Sequence, residues 1–369
     1  MMKSHHIIAI ALAPLVLAGC ELGSKEVTQT GYRGTGMAEI DVVDAAAIGD
    51  EVPAPPYELP EPSGPTAGEV YENVQVLSNV SVEEFDYLMA AITEWVVPAD
   101  VADPARAGCN YCHNPANLAS DEIYTKGVAR RMIQMTQTIN ADWSNHVQQT
   151  GVTCWTCHRG NAVPEAVWTM PAADRRVRAG RRNSQNAPDP NTAYASLPTD
   201  SIARFFASDA GEPQNIGVAS SGMHPNAENR LTTMETEHTY ALMMHLSQAL
   251  GVNCTHCHNS QSFREWSLSS EQRNTAWFGI RMVRDINDAY ITPLTADFPE
   301  NRLGPEGDPY KVNCVTCHQG QARPLGGVAM VADYPVLRFT AAPAETPDDV
   351  EELLEDPEIV EQEIAARTE

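Results

Sequence analysis

Four stretches of this 369-residue chain repeat one arrangement of thiols and imidazole: Cys109-x-x-Cys112-His113, Cys154-x-x-Cys157-His158, Cys254-x-x-Cys257-His258 and Cys314-x-x-Cys317-His318. The spacing suits covalent haem attachment, in which both sulfurs add across vinyl groups and the adjacent imidazole reaches the iron as an axial ligand. A single copy favours haem but also fits a redox dithiol with an incidental histidine, or half a zinc site. Four copies in one chain argue for haem, and the expected cofactors are four covalently bound haem c groups. Of the nine cysteines only Cys20 lies outside the motifs, so none remains for a disulfide framework.

Each iron then needs a sixth ligand, and its identity sets the chemistry. An open position permits gas binding or catalysis; Met or His closes the site for electron transfer, and Met raises the potential. The preceding helix is the natural supplier. Met89 and Met243 occupy matched places in units one and three, and they are the expected ligands there, with Met244 as the alternative in unit three. Unit two offers Met132 and Met135. Aligning Ile139-Asn140 on Ile286-Asn287 sets Met282 against Met135 and Gly279 against Met132. If Met132 serves haem two, haem four lacks its counterpart and needs another donor. His146 is the candidate, with His245 as rival, and His256 is expected to point outward.

The elements that present these groups read as a helix, a turn and a motif, four times over. Helix one is predicted over about 81–97, behind a Ser81/Glu84 capping box and before Pro98. Helix two covers about 121–139 behind Ser120, helix three about 228–250 up to Gly251, and helix four about 270–288 with a Ser269/Gln272 box. The sequence around motif one resembles that around motif three, and motif two resembles motif four, so the chain reads as two duplicated halves. The fold class expected is mainly α with extensive irregular structure. Haem-binding half one spans 71–165, a connecting region 166–224, and half two 225–337.

The amino terminus reads as a signal over residues 1–19, with Lys3, an apolar Ile7–Leu17 run and then Leu17-Ala18-Gly19-Cys20. That pattern makes Cys20 a lipidation site, although a plain secretory signal with a chance cysteine has the same outline. The apolar run is shorter than the ~20 residues that cross a bilayer. Acyl chains would tether the protein outside the cytoplasmic membrane. Residues 20–70, dense in Pro and Gly, read as an extended lipid-anchored arm with little regular structure. A formal charge of −25 argues against nucleic acid and for a basic protein partner. The acidic tail 338–369 adds strongly to it: residues 345–369 hold 11 acidic and one basic residue. An arginine cluster, Arg175 to Arg182, stands out against this background, while Arg130, Arg131, Arg281 and Arg284 flank haem helices as propionate candidates.

Beyond the motifs, Thr28-Gln-Thr-Gly-Tyr-Arg-Gly34, Ala91-Ile-Thr-Glu-Trp95, Ala129-Arg-Arg-Met132, Gly151-Val-Thr-Cys154, Ala241-Leu-Met-Met244 and Gly279-Ile-Arg-Met-Val-Arg-Asp285 carry a resemblance. The chain resembles the tetrahaem cytochrome subunit of the purple bacterial photosynthetic reaction centre, from Cys20 to about residue 337. The resemblance implies an electron-transfer subunit, not an enzyme, that re-reduces the photo-oxidised special pair. It implies three Met/His haems and one bis-His haem: Met89 with His113, Met132 with His158, Met243 with His258, and His146 with His318. It further implies a row of haems with the third nearest the pair, at the periplasmic face of the cytoplasmic (photosynthetic) membrane. The partners implied are membrane subunits carrying bacteriochlorophyll and a soluble c-type cytochrome or high-potential iron–sulfur protein as donor. Two rival classes carry sequence tests. A multihaem reductase needs an open or lysine-ligated iron, and a free periplasmic wire commonly needs more histidines than this chain has near its helices.

Overall fold

The structure is a computed structural model that describes residues 25–30, 37–42, 52–170, 189–207, 216 and 233–338. The signal segment, Cys20, the arginine cluster and the acidic tail beyond 338 lie outside the described residues. The architecture is mainly helical, linked by turns and short 3-10 segments. Strands are sparse. In the arm, β1 (Lys25–Thr30) pairs antiparallel with β2 (Met37–Val42), so this segment contains a hairpin where little regular structure was expected. Both strands carry β-branched residues (Val27, Thr28, Ile40, Val42), a local preference that the Pro- and Gly-rich composition of the whole arm conceals.

After the short α1 (Ala67–Val70) comes α2 (Val82–Val96), which begins where its capping box predicts: Ser81 Oγ accepts from Glu84 N, and the Glu84 carboxylate accepts from Ser81 N at 3.2 Å. It buries Tyr87, Leu88, Ala91, Ile92 and Trp95, one apolar stripe at helical spacing. The next helix, α3 (Tyr124–Asp142), starts later than predicted. Residues 117–120 form a turn instead, and the Lys126 ammonium bonds the carbonyls of Leu118, Ala119 and Ser120 at 2.9, 2.8 and 3.0 Å. The single turn α4 (Ser144–Val147) carries His146, and α5 (Cys154–His158) is the second motif itself.

In the other half, α6 (Ser201–Phe206) precedes α7 (Thr233–Leu250), which stops at Gly251 with φ +65°. Then α8 (Glu271–Asp285) passes into a π-helical turn, Ile286–Ile291. Its cap is Ser270, and the expected Ser269/Gln272 box does not form. Ser269 Oγ is committed elsewhere, donating to Glu265 O and accepting from Arg273. The fourth motif forms α9 (Cys314–His318).

The two halves repeat their internal fastenings. Asn140 holds the extended segment entering motif two, donating to Val152 O at 3.0 Å and accepting from Val152 N at 2.8 Å. Asn287 holds the strand entering motif four identically, donating to Val312 O at 3.0 Å and accepting from Val312 N at 2.9 Å. Each amide reaches one further carbonyl, Leu337 O from Asn140 and Phe206 O from Asn287. A second pair fixes the first helix of each half: Gly160 N donates to Trp95 O at 2.9 Å, and Gly320 N to Ala249 O at 2.8 Å.

The core does not respect the boundaries read from sequence. Residues Leu325 to Leu337, assigned to half two, pack into the core of half one, where Tyr334 meets Tyr87 and Trp95 with ring centroids 5.1 and 4.6 Å apart. Conversely Ile202, Phe205 and Phe206 of the connecting region are buried in half two against Leu242 and Ile280. Each half is thus completed by a strap that follows the preceding motif region in the chain. Asn287 is fully buried and serves both the motif strand and the strap. Asn287→Ala is expected to lower stability by about 2 kcal/mol or more, since it strands buried backbone groups. The check is a fall in the denaturant midpoint with unchanged slope.

Candidate haem-binding sites

All four motif histidines are fixed in the same tautomer by a backbone carbonyl just downstream. His113 Nδ1 lies 3.0 Å from Leu118 O, His158 Nδ1 2.8 Å from Asn161 O, His258 Nδ1 2.9 Å from Phe263 O, and His318 Nδ1 2.9 Å from Gln321 O. A carbonyl only accepts, so each Nδ1 carries the proton and each Nε2 presents a lone pair. That is the state an axial ligand requires. The motif pairs differ as the sequence comparison implies. Motifs one and three begin in 3-10 turns with Cys109 and Cys254 exposed, whereas motifs two and four are short helices with Cys154 and Cys314 buried. Burial pushes the thiols of Cys154 and Cys314 up to about 12 and that of Cys257 up to about 11. A hydrogen bond with Cys317, and then burial, raise Cys157, so motifs two and four touch.

The second motif faces a deep cavity enclosing about 1320 Å³ together with its mouth. Cys154, Cys157, His158 and Met132 all line it, so the predicted pair shares one mostly apolar chamber. Met135, the alternative, lines it as well. Arg302 enters the same cavity beside Tyr111 and Tyr124, with its guanidinium 3.0 Å from Tyr111 Oη. It is the cation that lines this cavity, and the sequence reading did not single it out because no predicted helix or motif marks it. The four arginines favoured as propionate candidates are engaged otherwise. Arg130 pairs with Asp121 at 3.0 Å, Arg131 bonds Ala289 O, Arg284 bonds Phe205 O, and Arg281 stacks on Trp277.

Around the fourth motif, His146 and His318 stand with ring centroids 5.9 Å apart, edge to face. Nδ1 of His146 donates to Thr275 O at 2.9 Å, leaving its Nε2 free as well. Two imidazoles at that separation leave room for one metal ion, since metal–imidazole bonds are ~2 Å long. Burial lowers the pKa of His146, and burial followed by the proximity of His146 takes His318 down to about 4. Both rings are therefore neutral. The space for His146 exists because residue 279 is glycine: a Cβ there would lie 2.5 Å from the imidazole Cε1 and 2.7 Å from Nδ1. Gly279 stands eight residues before Asn287, as Met132 stands eight before Asn140. With both asparagines clamped, the structural register matches the sequence alignment, and the position that carries Met in one half carries an imidazole seat in the other.

For the first and third motifs the register is the informative fact. Trp95 lies six residues after Met89 and Ala249 six after Met243, and these are the carbonyls that Gly160 and Gly320 bond. Met89 and Met243 thus stand at the same distance from matched backbone bonds. Met89 is half-buried on α2, which packs on the turn carrying Cys109, and Met243 is half-buried against the cluster containing Leu242 and Cys314. His245 does not reach the fourth site. It is buried against Phe206, its Nδ1 donates to Asn191 O, and its Nε2 has no partner among the described residues. His256 is half-buried rather than turned fully outward.

Residues 21–338 match the family described as photosynthetic reaction centre cytochrome C subunit. The chain belongs to this family. It is 45% identical over 343 residues to the photosynthetic reaction center cytochrome c subunit of Rubrivivax gelatinosus, covering 91% of this chain and 90% of that protein. The protein of the same name from Thermochromatium tepidum is 44% identical over 338 residues, with 91% and 81% covered. That of Roseobacter denitrificans is 39% identical over 328 residues, with 85% and 86% covered. The chain is accordingly a c-type cytochrome of photosynthetic electron transport, with covalently bound haem, associated with a reaction centre at the membrane. No helix among the described residues is long and apolar enough to cross that membrane.

Two substitutions test these sites. Gly279→Ala is expected to displace His146 and to perturb the spectrum of one haem while leaving the others in place. The substitution Met132→Ala should instead alter a different haem. Acid should act on His245, whose burial takes its pKa down to about 4. The unfolded chain binds the extra proton between pH 6.5 and about 4, so stability falls as pH falls through that window and levels off below it. The full loss is about 3 kcal/mol, and His245→Leu should remove that part of the pH dependence of denaturation.

Proposed function

We propose that the chain carries four haem c groups and uses them to re-reduce the photo-oxidised special pair of its reaction centre. The observation that carries this reading is the repeated imidazole geometry, in which every motif histidine donates Nδ1–H to a carbonyl and frees Nε2. The thioethers would form at Cys109/Cys112, Cys154/Cys157, Cys254/Cys257 and Cys314/Cys317. Axial pairs would be His113 with Met89, His158 with Met132, His258 with Met243, and His318 with His146. Bound haem c supplies one-electron chemistry, and a row of four would divide one long transfer into short ones.

The protein's part is to hold ligands, exclude water and set potential. Three thioether ligands favour high potentials, and the imidazole of His146 lowers the fourth. The matched clamps at Asn140 and Asn287, and the matched bonds at Trp95 and Ala249, support an origin by duplication of one two-haem half. Electrons would come from a soluble periplasmic c-type cytochrome or high-potential iron–sulfur protein. The formal charge of −25 supports a basic donor steered by long-range attraction. Lipid on Cys20 would hold the subunit at the periplasmic face of the membrane, where it meets the bacteriochlorophyll-bearing subunits.

A pyridine haemochrome assay on the purified complex is expected to give four haems per chain, and redox titration three high-potential haems and one lower. His146→Met should raise that one. Fewer than four haems, four low potentials, or no cytochrome oxidation after a flash would each sink the reading.

A further inference from the structure

One buried ammonium is built into the support of the first motif. Lys126 is only 8% exposed, and its Nζ bonds the carbonyls of Leu118, Ala119 and Ser120 and the carboxylate of Asp121, the last at 3.1 Å. Leu118 O is also the acceptor for His113 Nδ1, at 3.0 Å. A single carbonyl oxygen therefore receives a hydrogen bond from a cation on one side and from the motif histidine on the other. At the matched position of the third unit stands Arg273, since the Asn140/Asn287 register pairs Lys126 with it. Arg273 instead bonds Arg264 O, one residue beyond the Phe263 carbonyl that His258 uses, and stacks on Trp266. Between these two units, the shared carbonyl is found in the first.

We propose that Lys126 is a positioning and tuning residue for haem one, raising its reduction potential through the shared Leu118 carbonyl. The inference rests on the reading that His113 ligates a haem. A proximal imidazole that gives its Nδ1 proton to a strong acceptor becomes a better donor to the metal and favours the ferric state. The ammonium polarises Leu118 O and makes it a poorer acceptor for His113, which favours the ferrous state. Its positive charge, held away from water, acts in the same direction. Asp121 opposes this. Its carboxylate also accepts from Arg130 at 3.0 Å and from Asn73 at 2.9 Å, and the Arg130 bond leads the contacts that hold its pKa well below the usual range, so it stays charged. The cage of Lys126, Arg130 and Asp121 keeps a net positive charge behind the imidazole.

The test is a redox titration of haem one in the purified complex, with haem stoichiometry measured in each variant. Lys126→Met is expected to lower the reduced-to-oxidised ratio of haem one at fixed ambient potential by tenfold or more, which for one electron is 59 mV. Asp121→Asn should shift haem one the opposite way, and Lys126→Arg should hold it near the parent value. Opposite signs are the discriminating result, because simple loosening of the turn would move both variants in one direction. An unchanged haem one in Lys126→Met, or a downward shift in Asp121→Asn, overturns the proposal. If Lys126→Met fails to retain haem one, the direction of the Asp121→Asn shift decides. A parent chain without haem at Cys109 and Cys112 overturns the underlying reading instead, and the stoichiometry tells the two failures apart.

Discussion

Everything in this molecule depends on aiming imidazole lone pairs. A histidine binds iron through a ring nitrogen that is deprotonated and held in a fixed direction, and an exposed, unrestrained ring fixes neither its tautomer nor its direction. The chain meets both with its own backbone. Downstream carbonyls accept from Nδ1, three residues on in motifs two and four and five residues on in motifs one and three. The shorter loops are built with left-handed residues, Arg159 and Gln319, directly after the helical motif, which turn the chain back toward the ring. The longer loops leave the ring nearer the surface, so one requirement is met at two depths.

The second constraint is that the halves must lock together, because the two imidazoles that face each other near the fourth motif come one from each half. His146 follows α3 in half one, yet its ring lies against Gly279 of α8 and faces His318. Burying an imidazole there costs desolvation, which the Thr275 carbonyl partly offsets. The strap from Leu325 to Leu337 runs the other way, carrying residues next to the fourth motif into the first half's core. These crossings make relative motion of the halves costly. For a carrier, that rigidity keeps spacings constant and reorganisation small.

Charge is divided by depth. The chain as a whole is acidic, with a formal charge of −25. Inside, cations are placed one by one. Lys126 and Lys311 are both nearly inaccessible and both held by neighbouring aspartates, and Arg302 enters the second cavity. An acidic exterior steers a partner, while interior cations act on what is buried beside them.

The sequence by itself determined the covalent chemistry and the helices that support it. Thiol and histidine spacing is a property of consecutive residues, and so are capping boxes and apolar periodicity. The cysteines, the four motif histidines and the extent of α2 were therefore legible directly. Internal repetition also exposed Gly279 as the odd residue opposite Met132. Only the tertiary structure decided what fills that gap, because His146 and Gly279 meet through the packing of elements far apart in the chain. The same holds for the strap that crosses between halves and for Arg302. It holds too for the late start of α3, where a lysine inside the helix gathers three carbonyls that a capping rule would have left to the helix. Local rules cannot register a side chain that arrives from elsewhere, and the sites of this protein are completed by such arrivals.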